Sequence, residues 1–425
     1  MSRIVIRGGT VLDQTGQRRA DIAIADGHVV EVGQSLDGDR VLDAGGCIVA
    51  PGFVDLHVHL REPGREEAET IETGSRAAAL GGFTAIVAMP NTEPAQDSLS
   101  VIEFARAQAR RAGLCDVHPA GCITMNREGK ALAPFGELAA AGVHLFTDDG
   151  NGVQDPQVMR HALEYARALD ITLAQHCEVA SLTKGAVMHE GSCCSQLGLP
   201  GWPALAEELM VHRDIELSRL TGAHIHLLHL STAGSVELVR AAKRDGLRVT
   251  AEAAPHHFTL TDQLLAGYDA VYKVNPPLRT ADDIAAIKAG LADGTIDAIA
   301  TDHAPHPPEL KESPLDQAAP GMLGLETALA LAISELAMPL ADIVAALSWK
   351  PAAIAGLADR HGRPVAVGEP ANVVVFDPGA EWTVVPAKLA SKSRNTPYAG
   401  RTLHGKVRHT VLAGTPVVVD SIPQR

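Results

Sequence analysis

Between residues 52 and 360, short aliphatic runs alternate with helical stretches, and this alternation limits the chain to few folds. The spacing predicts strands at Phe53–Val58, Thr84–Met89, Val117–Ile123, His144–Thr147, Ile171–Gln175, His224–Leu230, Arg248–Ala253 and Ile296–Thr301. Amphipathic stretches between them, among them Glu67–Leu80, Leu99–Ala112, Pro156–Leu169 and Ala281–Ala292, predict helices. Eight strands alternating with helices over some three hundred residues point to an α/β fold of the (β/α)8 TIM-barrel type. A doubly wound open sheet is the alternative. No glycine-rich dinucleotide fingerprint follows any of the strands, which disfavours it.

The two chain ends have a different texture. Residues 1–51 and 361–425 read as short alternating strands with turn residues between them, such as DIAIADGHVVEVG, where Asp26-Gly27 marks a hairpin. Neither end carries enough apolar surface to stand alone, so both are expected to pack together as one small β-sandwich domain beside a barrel at 52–360. Aromatic residues are only 3% of the chain, so Ala, Val, Leu and Ile must fill the core.

A formal charge of −15 excludes a basic nucleic-acid surface, although local arginines can still hold a small anion. Six cysteines without a C-x-x-C pair imply reduced thiols and a cytoplasmic protein. The first residues alternate like a strand rather than forming an apolar leader, and no long uncharged run predicts a membrane span.

In a barrel of this kind, chemistry gathers at the C-terminal ends of the strands. The segment PGFVDLHVHLREPG places His57 and His59 two residues apart, facing the same side of a strand end. Later strand ends carry Asp148-Asp149 in FTDDGNG, His176 in AQHCE, His229 in LLHLS and Asp302 in ATDHAPH. Imidazoles and carboxylates recurring at successive strand ends describe a metal site. His256-His257 and Cys177 also lie near strand ends. They read as packing residues or supporting hydrogen-bond partners rather than catalytic groups.

These residues, with HVHLREPG, MPNT, FTDDG, KVNPPLR, TDHAPH and PGMLGLET, resemble the amidohydrolase superfamily and, within it, the bacterial dihydroorotases with an aspartate bridge. The resemblance spans essentially the whole chain. It implies one or two Zn2+ per subunit: His57, His59 and Asp302 on one ion, His176 and His229 on the other, and Asp149 between them. Related enzymes carry a carboxylated lysine where Asp149 stands, and the nearest lysines here are Lys130 and Lys184.

By the same resemblance, Asp302 shuttles the proton, Arg61 with the further donors Asn91, Asn275 and His306 contacts substrate, and so does the backbone at Pro320-Gly321. The implied reaction is reversible cyclisation of N-carbamoyl-L-aspartate to L-dihydroorotate in pyrimidine biosynthesis, by a homo-oligomer that can also associate with aspartate transcarbamoylase. The alternatives are a hydantoinase or allantoinase, or an inactive dihydroorotase-like partner of aspartate transcarbamoylase. Arg61 with Asn91 favours a carboxylated ring, and the filled ligand positions favour an active enzyme. Finally, His306–Gly321 shows neither helical nor strand periodicity and is expected to be a lid, with Lys311 as a tryptic site within it.

Overall fold

The computed structural model describes residues 3–425. Strands Phe53–Val58, Phe83–Ala88 and Asp116–Pro119 lie side by side in one parallel sheet. Strands Leu145–Thr147, Thr172–Gln175, Ile225–Leu227, Val249–Ala253 and Ala298–Ile299 form a second, also parallel and in chain order. Parallel bridges join the two sheets at both seams, Gly121 to Phe146 and Val58 to His303. The eight strands therefore run as one closed ring.

Each of the eight expected strands is present, and the differences lie at their ends. Ile296–Thr301 shrinks to Ala298–Ile299, and Val117–Ile123 becomes Asp116–Pro119. At these ends the backbone leaves the ladder to aim side chains inward, so apolar character outlasts strand pairing. Three helices keep the limits read from sequence: Leu99–Ala112, Pro156–Leu169 and Ala281–Ala292. Asp155 caps the second by accepting from the amides of Gln157 and Val158, and Pro156 occupies its first turn. The helix expected from Glu67 begins only at Ile71. Thr70 caps it there, and Glu69 turns inward, fully buried, toward His303.

Strands from the two chain ends pair with each other. A seven-stranded sheet interleaves them: Val373–Phe376 of the C-terminal segment runs antiparallel to Ile48–Pro51, which lies parallel to Thr10–Val11. A second, four-stranded sheet holds Ile4–Arg7, Asp21–Ala25, His28–Gly33 and Arg40–Asp43. Asp26 and Gly27 both adopt positive φ (52° and 79°), the geometry of a tight hairpin between Asp21–Ala25 and His28–Gly33. Ile6, Val11, Ile22, Ile24, Val49, Val373, Val375 and Val411 from both sheets share one buried cluster. The stretch before Val373 forms no strand, yet Val365 and Ala371 still contribute to that cluster. All six cysteines are free and buried. Among the described residues no helix is long and apolar enough to cross a membrane.

Three phenylalanines fasten the end sheet to the ring. Phe53, opening the first ring strand, lies 5.8 Å from Phe83 and 6.0 Å from Phe376 between ring centroids, and all three are fully buried. Phe376→Ala is expected to destabilise the protein by about 3–5 kcal/mol, as for a large buried aromatic. Denaturant unfolding monitored by circular dichroism tests this, and a loss below about 1 kcal/mol would mean that the site collapses around the missing ring.

Candidate metal centre

His57 sits in the first ring strand and His59 just beyond its end, as the two-residue alternation requires, with ring centroids 5.3 Å apart. Asp149 follows Leu145–Thr147, His176 follows Thr172–Gln175, His229 lies beyond Ile225–Leu227, and Asp302 lies beyond Ala298–Ile299. The fold brings all six together in the buried interior at one pole of the ring. Asp148, the neighbour of Asp149, points elsewhere: its carboxylate accepts from the backbone amides of Ile123 and Thr124 at 2.9 and 3.0 Å. It braces a loop and takes no part in the cluster.

Hydrogen bonds on the far side of each ring set which nitrogen faces the centre. His57 Nδ1 donates to Glu252 Oε1 at 2.9 Å, and His59 Nδ1 donates to Asn91 Oδ1 at 3.0 Å. Their Nε2 atoms, left with lone pairs, face carboxylates: His57 lies 3.4 Å from Asp149 and 3.6 Å from Asp302, His59 3.6 and 3.2 Å from the same pair. His176 Nε2 donates to Glu178 Oε2 at 3.0 Å, so its Nδ1 faces Asp149 Oδ1 at 3.4 Å and His229 Nε2 at 3.0 Å. His229 Nε2 lies 3.6 Å from Asp149 Oδ1. Lone pairs pointing at carboxylates repel unless a positive charge lies between them.

Charge and orphaned atoms agree with that demand. Burial works against ionisation of Asp149, yet the histidines around it outweigh burial and hold its carboxyl well below the ordinary range. The same pairing pulls His57 well above an ordinary imidazole despite burial, and pushes His176 up to about 9. His57 Nε2 and Asp149 Oδ1 are buried without a hydrogen-bond partner. Two triads, His57-His59-Asp149 and Asp149-His176-His229, have donor atoms close enough for one ion each. The donor set of imidazole and carboxylate suits a zinc-type ion.

Sequence reasoning missed two supports. Glu252, fully buried on the strand Val249–Ala253, also binds His226 Nε2 at 3.0 Å and the His229 amide at 3.3 Å. Glu178, two residues past His176, orients that ring. A glutamate inside an aliphatic strand was the available signal for Glu252. Backbone strain also gathers here, since His229, Asp302 and Arg61 take φ of 30°, 46° and 62°. Such non-glycine conformations cost about 1–3 kcal/mol each and cluster where side chains must be aimed.

A cavity of about 340 Å³ opens above the cluster, and every expected substrate residue lines it: Arg61, Asn91, Asn275, His306, Pro320 and Gly321. Arg65, overlooked in the sequence, lines it too. Arg61 is buried and bonds Pro305 O at 3.2 Å, with no carboxylate partner among the described residues. Burial and then the like charge of Arg65 lower it to about 10, which leaves it charged at neutral pH.

Two expected donors also have partners within the protein. Asn275 donates one amide hydrogen toward Glu178 Oε2 at 3.3 Å, and its buried carbonyl oxygen is left without a partner. His306 Nε2 donates to Pro320 O at 2.8 Å, while burial and Arg61 push its pKa down to about 3, so it is a neutral brace. Cys177 is buried with its thiol pushed up by burial, and His257 donates to Pro276 O at 3.0 Å, both consistent with packing roles.

The chain from His306 to Gly321 is more ordered than its sequence implies. It contains the short helix Pro308–Lys311, and Leu315 and Ala318 pack with Val187, Met188, Cys193 and Cys194. Lys311 Nζ donates to Lys273 O, Ala319 O and Gly321 O at 3.2, 2.9 and 3.0 Å. Gly321 has a φ of 140°, and a Cβ there would lie 2.8 Å from that of Ala304. Only glycine fits this close approach.

The sequence of this chain is 50% identical to the dihydroorotase of Streptomyces coelicolor, with 99% of each chain covered. The chain belongs to the dihydroorotase family. A dihydro-orotase-like family model matches residues 46–235. The dihydroorotase of Mycobacterium tuberculosis is 50% identical, with 95% of each chain covered. Among solved structures, the L-hydantoinase (dihydropyrimidinase) of Arthrobacter aurescens superposes with a TM-score of 0.87 at 24% identity, covering 99% of this chain and 97% of that one. This likeness carries the shared α/β fold. As a member of the dihydroorotase family, the chain is an enzyme of the cyclic-amide hydrolase kind.

Lys311→Ala removes three hydrogen bonds from the strap, each worth about 0.5–1.5 kcal/mol when intact. Chymotrypsin is expected to cut near Leu310 and Leu315 about tenfold faster or more in the variant. Equal rates would show that the apolar packing of Leu315 and Ala318 holds the strap without the lysine.

Proposed function

We propose that this dihydroorotase-family chain interconverts N-carbamoyl-L-aspartate and L-dihydroorotate at a zinc-loaded centre, as a step of pyrimidine synthesis. We read residues 52–360 as a (β/α)8 barrel and segments 1–51 and 361–425 as one small β-sandwich. The observation that carries the reading is the pair of uncompensated guanidinium groups, Arg61 and Arg65, lining the same cavity as the buried His/Asp cluster. A cyclic amide bearing a carboxylate satisfies both features, and a neutral hydantoin ring satisfies only one. In this reading His57, His59 and Asp302 would hold one Zn2+, His176 and His229 the other, and Asp149 would serve both. No lysine lines the cavity, which supports a carboxylate bridge rather than a carboxylated lysine.

Zinc bound here would polarise the ring carbonyl and make a water nucleophilic near neutral pH. Arg61 grips the substrate carboxylate through its planar fork. Asn91, its carbonyl committed to His59, presents its amide hydrogens to the cavity, and Asn275 presents its free carbonyl oxygen. Burial raises the Asp302 carboxyl, but the surrounding histidines outweigh it and keep the group ionised, a base at neutral pH. One Asp302 oxygen faces His59, and the other lies 3.9 Å from His256. During hydrolysis Asp302 takes a proton from the attacking water as the oxygen–carbon bond forms. It returns that proton to the ring nitrogen as the carbon–nitrogen bond breaks, and ring closure reverses both transfers. The six free, buried thiols support a reducing, cytoplasmic setting. A homo-oligomer, and association with aspartate transcarbamoylase, belong to the same reading through family resemblance.

Asp302→Asn is expected to lower kcat in both directions by about 10²–10⁴-fold, the usual worth of a positioned acid–base group. A zinc-loaded Asp302→Asn enzyme with near wild-type turnover would remove Asp302 from the proton relay. Arg61→Met is expected to raise KM for dihydroorotate by about 10–100-fold with metal content unchanged. If wild-type protein cleaves hydantoin as efficiently as dihydroorotate, the hydantoinase reading replaces this one.

A further inference from the structure

At the opposite pole of the ring, outside the catalytic cluster, a second group of metal-binding side chains converges. Asp116 opens the strand Asp116–Pro119, and His118 follows two residues later on the same face. His361 arrives from the far side, on the segment that leads out of helix Trp349–Ile354 toward the end sheets. Asp116 Oδ2 lies 3.1 Å from both His118 Nε2 and His361 Nε2. The donor atoms of all three lie within the span of a single ion.

Thr84 Oγ1 lies 3.2 Å from His361 Nδ1 and anchors the far side of that ring, while His361 Nε2 faces Asp116 Oδ2 at 3.1 Å. His118 Nε2 is a buried atom without a hydrogen-bond partner, although the carboxylate is only 3.1 Å away. The arrangement repeats the catalytic pole: two imidazole nitrogens aimed at one carboxylate, with the far side of one ring anchored by a neighbour. Such an outer anchor is the usual companion of a metal-bound histidine.

Nitrogen–oxygen separations near 3.1 Å also match two ligands about 2.0–2.2 Å from a common zinc-type ion. Burial would raise the Asp116 carboxyl, but His118 and His361 outweigh it and hold the group well below its usual range. The neighbouring cation is Arg360, 3.7 Å from Asp116 Oδ2, and its side chain is more than half exposed. The trio lines a cavity of about 810 Å³, which supplies both an entry path and a solvent ligand.

We infer that Asp116, His118 and His361 form a second, non-catalytic site for a zinc-type divalent ion, with cavity water completing its coordination. The ion clips the segment that enters the end domain onto the base of the ring. Its chemistry is separate from turnover, because the site lies at the N-terminal ends of the strands, away from substrate.

The test uses full-length protein equilibrated with Zn2+ and then passed into metal-free buffer. Zinc per chain is measured for wild type, His118→Gln and His361→Gln, alongside dihydroorotate hydrolysis. Each variant is expected to retain one zinc less per chain than wild type, with kcat unchanged. Zinc contents equal to wild type in both variants would overturn the site and leave a hydrogen-bonded charge cluster. If His361→Gln fails to fold, anomalous diffraction at the zinc edge from wild-type crystals decides the question. A peak between the three side chains supports the inference, and a featureless map there overturns it.

Discussion

The centre of this structure depends on one buried carboxylate. Asp149 is nearly inaccessible, and three imidazole nitrogens lie within 3.6 Å of its Oδ1. An isolated carboxylate removed from water is prohibitively costly, so its surroundings must supply positive charge. The histidines do so as protonated rings or as ligands of a cation, and outer partners decide between them. Glu252, Asn91 and Glu178 accept the protons on the far nitrogens, turning lone pairs inward. The inner cluster is thereby tuned for a metal rather than for hydrogen bonds of its own.

A different constraint is the juxtaposition of two arginines with that cluster in one cavity. Arg61 leaves the first strand in a strained conformation and donates to the Pro305 carbonyl. The strap itself is a cross-braced loop: Lys311 gathers three carbonyls, Lys273 reaches Leu315 O at 2.7 Å, and His306 grips Pro320. These bonds press the backbone at Pro320 and Gly321 against the cavity. The ordering of this stretch comes from lysines that bond backbone carbonyls, a pattern that carries no periodicity. That is why the sequence shows no periodicity there while the fold shows an ordered strap.

The two ends of the chain meet through strand pairing that no local feature of either end announces as a partnership. Ile48–Pro51 and Val373–Phe376 lie more than three hundred residues apart, yet form adjacent antiparallel strands. Phe376 then reaches the ring through Phe53, so the first ring strand is anchored at its start by the end sheet. A rigid start to that strand fixes the direction in which His57 and His59 leave its other end.

The sequence alone determined the periodic features and the chemistry-bearing residues. Aliphatic strands, capped helices such as Pro156–Leu169, the Asp26-Gly27 hairpin and the six Asp and His side chains at strand ends were all legible. Each depends on local spacing or on a residue type with few alternative uses. Tertiary structure decided what depends on partners distant in the chain: Glu252 behind His57, Arg65 beside Arg61, the carbonyls around Lys311 and the meeting of His361 with Asp116. It also oriented Asn275, whose amide gives one hydrogen to Glu178 and leaves its carbonyl oxygen without a partner. A side-chain amide can present either end, and a neighbour ninety-seven residues away decides which way it faces.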